Sequence, residues 1–139
     1  MGVTQIQIQR PVHEVFARVT DLERAREWAP QMGAMHLEGP LREGAVISEE
    51  RRILGRRATA KWTVTRYEPD RALGLLRSFG PMRGRYAYVF EQSGAGTQLT
   101  QFTELGLDGP LAILSPLVAR EGRKEEDAEL GRLKTLLER

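Results

Sequence analysis

The stretch that decides the fold is residues 110–139, PLAILSPLVAREGRKEEDAELGRLKTLLER. It is the only segment long enough for a helix of many turns. Apolar residues recur at helical spacing at both ends, as Leu111, Leu114 and Val118 and then as Leu130, Leu133 and Leu137. Between them, on the same rotating stripe, fall Ser115, Gly122 and Glu126. A helix seated on a solid core carries bulky apolar side chains there. The stripe therefore reads as packed at its ends and hollow in the middle, with a bend expected at Pro116.

The chain before this helix supplies what it packs on. Val3 to Gln9 alternates Gln5, Gln7 and Gln9 with Ile6 and Ile8, a half-buried strand. Pro11 opens a short amphipathic helix through Val12, Val15, Phe16 and Val19, and Leu22 to Trp28 reads as a second. The period then switches to two. Met32 to Glu38, Ala45 to Leu54, Ala58 to Tyr67, Ala72 to Ser78, Met82 to Gln92 and Thr97 to Leu105 are six consecutive strands, parted by turns such as Gly80-Pro81 and Ser93-Gly94. Ala58, Ala60, Trp62 and Val64 share one face, as do Gly84, Tyr86, Tyr88 and Phe90. Helices segregated from a run of antiparallel strands mean α+β, a single domain over residues 1–139. A seven-stranded sheet curves through its twist, and a long helix laid in that curve encloses volume.

Composition narrows the chemistry. With no cysteine there is no disulfide, thiolate metal site or Cys nucleophile, and a reducing cytoplasm is permitted. A formal charge of +2 gives no case for nucleic acid. The densest basic patch, Arg51, Arg52, Arg56 and Arg57 beside Glu49 and Glu50, reads as a solvated hairpin. The N-terminus lacks a signal-peptide core, and no segment approaches the roughly 20 apolar residues of a membrane span. His13 and His36 are too few for a histidine metal site; His13 reads as a surface residue, whereas His36 could face a cavity. No serine sits in a nucleophile elbow.

The order β-α-α-β6-α resembles the helix-grip fold of START-like proteins, in particular the polyketide cyclase/dehydrase and lipid-transport superfamily. The marks are Pro11 with Val15-Phe16, Asp21-Leu22-Glu23 leading to Glu27-Trp28, Tyr67-Glu68-Pro69, Tyr88-x-Phe90-Glu91 leading to Gly96-Thr97, and Leu133-Lys134. The resemblance spans essentially the whole chain. It implies an apolar cavity between sheet and long helix that holds a hydrophobic small molecule such as a lipid, isoprenoid quinone or polyketide-like aromatic. It does not imply a reaction.

The candidate lining is Trp28, Met32, Trp62, Tyr86, Tyr88, Gln101, Leu114, Val118, Gly122 and Glu126. Trp and Tyr carry polar handles that orient a ligand in an apolar pocket. Glu126 needs a partner if buried, and Arg83 or Arg85 could supply it. Binding or transport is the first reading. The alternative is a cyclase or dehydratase acting in the same cavity without metal or cofactor, using Tyr86, Tyr88, His36 or Glu126 as acid and base. The run Pro110 to Ala119, apolar nearly all round, fits a gate, a transient membrane contact or a homodimer seam.

Overall fold

The computed structural model describes residues 2–53 and 55–139. The chain runs β1 (Gly2–Ile8), α1 (Val12–Val19), a 3-10 helix (Leu22–Glu27), β2 (Ala34–Leu37), β3 (Val46–Ile53), β4 (Arg56–Glu68), β5 (Ala72–Phe79), β6 (Met82–Ser93), β7 (Gly96–Leu107), a second 3-10 helix (Gly109–Leu114) and α2 (Ser115–Leu137). Leu54, the expected end of β3, lies outside the described residues. The strands form one antiparallel sheet in the order β1-β7-β6-β5-β4-β3-β2. It is the α+β helix-grip architecture, a curved sheet closed by a long C-terminal helix. Sequence order left β1 two places, at an edge or beside the last strand. It takes both, pairing β7 from Gly2↔Thr103 to Ile8↔Thr97 and leaving its far side open.

Register puts the inward residues into rows. Ile47, Trp62, Arg77, Gly84 and Leu105 form one row across β3 to β7, and Leu73, Tyr88 and Gln101 form part of another. In β4 the register shifts between Val64 and Arg66, so Thr65 is the extra residue of a bulge. A bulge bends its strand and sharpens the local twist, which helps the sheet to wrap.

The helices depart from expectation in two places. Leu22–Glu27 is a 3-10 helix, whose three-residue turn aligns Arg24 with Glu27 in a 2.7 Å ion pair. The long helix does not run on from Pro110. Pro110 and Pro116 each sit in the first two positions of a helical segment, where a missing N–H costs nothing, so the chain makes a 3-10 turn and restarts as α2 at Ser115. The break lies where a bend was expected, but Ser115 does not cap the new helix. Its hydroxyl accepts the Leu107 amide at 3.0 Å, pinning the start of α2 to the end of β7.

Only one end of the apolar stripe is packed. Leu130 and Leu133 are fully buried in a core with Ile8, Val15, Phe16, Phe90 and Leu99, each such burial contributing about 2 kcal/mol. Phe16 meets Tyr67 and Phe90 edge-on. Lys134 donates to the Gln7 carbonyl and Glu138 accepts the Gln9 amide at 2.7 Å, so the end of α2 is latched to β1 and the residue after it. At the other end, Leu111 and Leu114 are exposed, against the expectation that they pack. They belong to the 3-10 turn, which phases them off the α2 stripe.

One tight point holds β2 to the rest. A Cβ on Gly33 would lie 1.8 Å from the Glu50 carbonyl oxygen, so no other residue fits where the chain enters β2. The Gly33 amide donates to the buried Glu49 carboxylate at 2.8 Å. Gly33→Ala must push the backbones apart and lose that bond. It is expected to cost about 3 kcal/mol in urea unfolding; an unchanged midpoint would show that β2 does not depend on this contact.

Candidate functional site

Between α2 and the sheet lies a chamber of about 410 Å³. β4, β6 and β7 supply Trp62, Tyr86, Tyr88, Gln101 and Leu105 as its floor, β5 and β3 supply Arg77 and Arg51, and α2 roofs it with Leu117, Val118, Gly122 and Glu126. Met32, Trp62 and Tyr88 also border a smaller apolar recess of about 40 Å³, reaching under the short helices to Trp28, Leu22 and Val19. Residues thirty to ninety positions apart meet here because the β4–β5–β6–β7 registers bring their inward rows side by side.

The roof comes close to the floor at Gly122 for a local reason. A Cβ there would come within 2.3 Å of Leu105 Cδ1, so the absent side chain is what lets Leu105 stand beneath the helix. On the floor, Gly84 plays a matching part. Its missing side chain leaves room for the Tyr86 ring, which would otherwise lie 2.7 Å from the added atom. Tyr86 is thus laid along the sheet against Trp62, ring centroids 5.3 Å apart.

Of the expected lining residues, Met32, Trp62, Tyr86, Tyr88, Gln101, Val118, Gly122 and Glu126 meet around the chamber, and Trp28 lines the recess. Leu114 does not join them: it is 43 % exposed on the 3-10 helix. His36 is also a correction. It is exposed on β2, while its neighbours Met35 and Leu37 turn toward the core, so it is no acid or base for the chamber. Nor do Arg83 and Arg85 reach Glu126. Arg83 pairs with Asp108 and Arg85 is exposed, both on the opposite face of β6 from Tyr86.

The largest departure concerns Glu49, expected on a solvated hairpin and found completely buried. Each of its oxygens has two donors. Oε1 takes Trp62 Nε1 at 2.9 Å and Arg77 at 3.2 Å; Oε2 takes Arg51 Nε at 2.6 Å and the Gly33 amide at 2.8 Å. Burial alone would raise its pKa, but the Gly33, Arg51 and Trp62 hydrogen bonds and the Arg77 charge outweigh it and hold the carboxyl below the usual range. The Arg77 guanidinium also lies 5.1 Å from the Trp62 ring centroid. Its Nε is fully buried with no acceptor among the described residues. A signal for this cluster was present in strand parity: Glu49 and Arg51 alternate in phase with Ile47, and Arg77 with Leu73 and Leu75.

The roof carries the opposite electrostatic condition. Glu126 is 6 % exposed. Burial pushes its pKa up to about 7, with Asp127 and Glu125 adding to the rise and the Thr103 hydroxyl and Arg123 opposing it. Glu129, one turn on and not anticipated, is also raised to about 7, by burial and then by Glu125 and Glu126. On the floor, burial raises Tyr86 and Tyr88 above the ordinary phenol value. All four groups therefore favour their neutral forms more than in water.

Residues 3–138 match the family described as polyketide cyclase / dehydrase and lipid transport, and the chain belongs to it. No curated protein matches the sequence. Among solved structures, Ara h 8.0201 superposes with a TM-score of 0.79 at 11% identity, over 98% of this chain and 95% of that one. A START superfamily protein from Mycobacterium smegmatis gives 0.78 at 11% identity, over 99% and 96%. The di-domain ARO/CYC StfQ from the steffimycin biosynthetic pathway gives 0.76 at 14% identity, over 100% of this chain and 45% of that one. At these identities the likeness is one of fold.

The two roof carboxylates set a pH dependence. Their folded pKa of about 7 lies above the ordinary 4.5, so the folded chain binds more protons than the unfolded one between those values. Their contribution to stability is full below about pH 4.5 and is lost as pH rises through about 7. Glu49 acts in reverse, its contribution lost as pH falls through its lowered pKa. Glu126→Gln removes one of the rising groups. It is expected to raise Tm by about 3 °C at pH 8 and to do little at pH 5, read by differential scanning calorimetry. Equal shifts at both pH values would show that Glu126 is not held against ionisation.

Proposed function

We propose that this member of the polyketide cyclase/dehydrase and lipid-transport family holds one hydrophobic small molecule in the chamber beneath α2. The observation that carries the reading is the chamber itself, about 410 Å³ with an aromatic floor, lying between α2 and the sheet. That volume is in the range of small-molecule sites, and a mainly apolar lining with a few convergent polar groups is their usual composition. The adjoining recess gives an apolar end to the space, and the Gln101 carboxamide on the chamber wall offers a hydrogen bond to a ligand oxygen. The lipid, quinone and polyketide-like aromatic classes expected from the sequence all combine an apolar body with at least one such oxygen.

A second reading, a cyclase or dehydratase in the same chamber, is favoured by Glu126. A carboxyl poised near 7 inside a mostly apolar space is suited to move a proton at neutral pH, and Tyr86 beside Arg77 supplies a hydroxyl on the opposite wall. Turnover of a poly-β-keto substrate that survives both Glu126→Gln and Tyr86→Phe unchanged would dispose of these roles.

Binding is tested with N-phenylnaphthylamine, an uncharged probe whose fluorescence rises in apolar surroundings. The wild-type chain is expected to bind it with one saturable site. Val118→Trp, which adds bulk to the α2 wall of the chamber, is expected to weaken binding about tenfold or more while α2 remains folded by circular dichroism. A probe bound equally well by both proteins is not in the chamber, and the reading would fall.

A further inference from the structure

The polar groups of the chamber are sorted by wall. On the sheet wall, the Arg51 and Arg77 guanidiniums are both engaged by the Glu49 carboxylate. On the helix wall, Glu121, Glu125, Glu126 and Glu129 all line the space, at spacings that keep them on one side of α2. No ion pair holds Glu125, Glu126 or Glu129 among the described residues, and Lys124 reaches only Glu121. The cations closest to Glu129 are committed elsewhere: Arg132 Nε donates to the Trp28 carbonyl at 2.9 Å, and Arg51 Nε to Glu49.

Two further features of the chamber point the same way, and neither involves the acidic cluster. Gln101 is only 2 % exposed, lies on the chamber wall, and has no hydrogen-bond partner among the described residues. Its carboxamide oxygen is an acceptor with nothing to accept. Across from α2 stand the rings of Tyr86 and Tyr88, whose electron-rich faces attract cations, beside Trp62, whose ring already meets the Arg77 guanidinium. Carboxylates above, aromatic rings below and a free carbonyl oxygen at the side make a complete set for a cationic nitrogen on a hydrophobic body.

Resting on the chamber reading above, we infer that the ligand class of this protein is a hydrophobic amine or quaternary ammonium compound, its cationic nitrogen placed between the Glu126 and Glu129 carboxylates and the aromatic floor. The body of such a molecule fills the apolar end toward the recess. The bound cation completes the helix wall and keeps its carboxylates ionised. An uncharged ligand leaves them to take up protons instead.

The groups that face these carboxylates fix the pH dependence. From α2 itself come Glu125, Asp127, Arg123 and Arg132; from β3 comes Arg51. Arg77 on β5 and Tyr86 and Tyr88 on β6 complete the surroundings. The tyrosines, raised by burial, stay neutral, and the change between about pH 6 and about pH 8 is that of Glu126 and Glu129.

The test uses a permanent cation, (naphthylmethyl)trimethylammonium, against its uncharged isostere neopentylnaphthalene, each displacing N-phenylnaphthylamine. The cation is expected to bind about tenfold tighter than the isostere at pH 8, and the ratio to shrink severalfold at pH 6 as the carboxylates protonate. In the Glu126→Gln/Glu129→Gln double variant, shown folded by calorimetry, the ratio is expected to approach one at both pH values. If cation and isostere bind equally to the wild-type chain at pH 8, the amine inference is overturned while the apolar chamber stands. A ratio that persists undiminished in the double variant overturns it as well, since the charge is then read elsewhere. If the wild-type chain binds none of the three probes, the chamber reading fails and takes this inference with it.

Discussion

Glu49 is the point on which the sheet side of the molecule depends. A carboxylate removed from water is costly unless its oxygens are met, and here four donors from three strands and a loop meet them. Satisfying that one group fixes the entry to β2, the indole of Trp62 and the guanidiniums of Arg51 and Arg77. Those side chains cannot then swing into the chamber to fill it. The hollow persists because the residues around it are already held.

The roof is organised by the reverse condition. Glu126 is buried and Glu129 half-buried beside their own kind, and burial is the chief cause of their raised pKa values. A fold selected for stability alone would put leucine at such positions, as α2 does two turns later at Leu133. The two halves of one helix thus serve different ends. The second half is an anchor in the core, and the first is a wall kept polar, with Gly122 letting it close over Leu105. A contrast of this kind on a continuous helix is what separates a binding space from a packing defect.

The architecture was legible because its signals are local and periodic. Alternation in Ala58–Val64 and Gly84–Phe90, and a thirty-residue helical stretch after six strands, allow few arrangements. The same logic found Trp62, Tyr86, Tyr88 and Glu126, since parity alone turns them inward. It failed where parity was overruled by expectation about residue type. Glu49 and Arg51 were in phase with Ile47, yet a run of charges reads as solvent-facing unless the opposing strands are known to carry Trp62 and Arg77. Leu114 failed for another reason: two prolines, six residues apart, change the helical pitch between them, and a stripe extrapolated across the change ends on the wrong side.

The pairing of β1 with β7 sets the order in which this protein can come into being. The residues that close the molecule, Gln7 and Gln9 with Lys134 and Glu138, are separated by nearly the whole chain, and the first strand has no partner until the last has been made. Contacts of such sequence separation pay their loop-closure entropy late, so folding is slow for the size of the domain. On the ribosome, β2 to β6 can assemble as a meander while β1 waits, its alternating Ile6 and Ile8 uncovered. The chamber is the final thing to form, and a nascent chain has no use for its ligand.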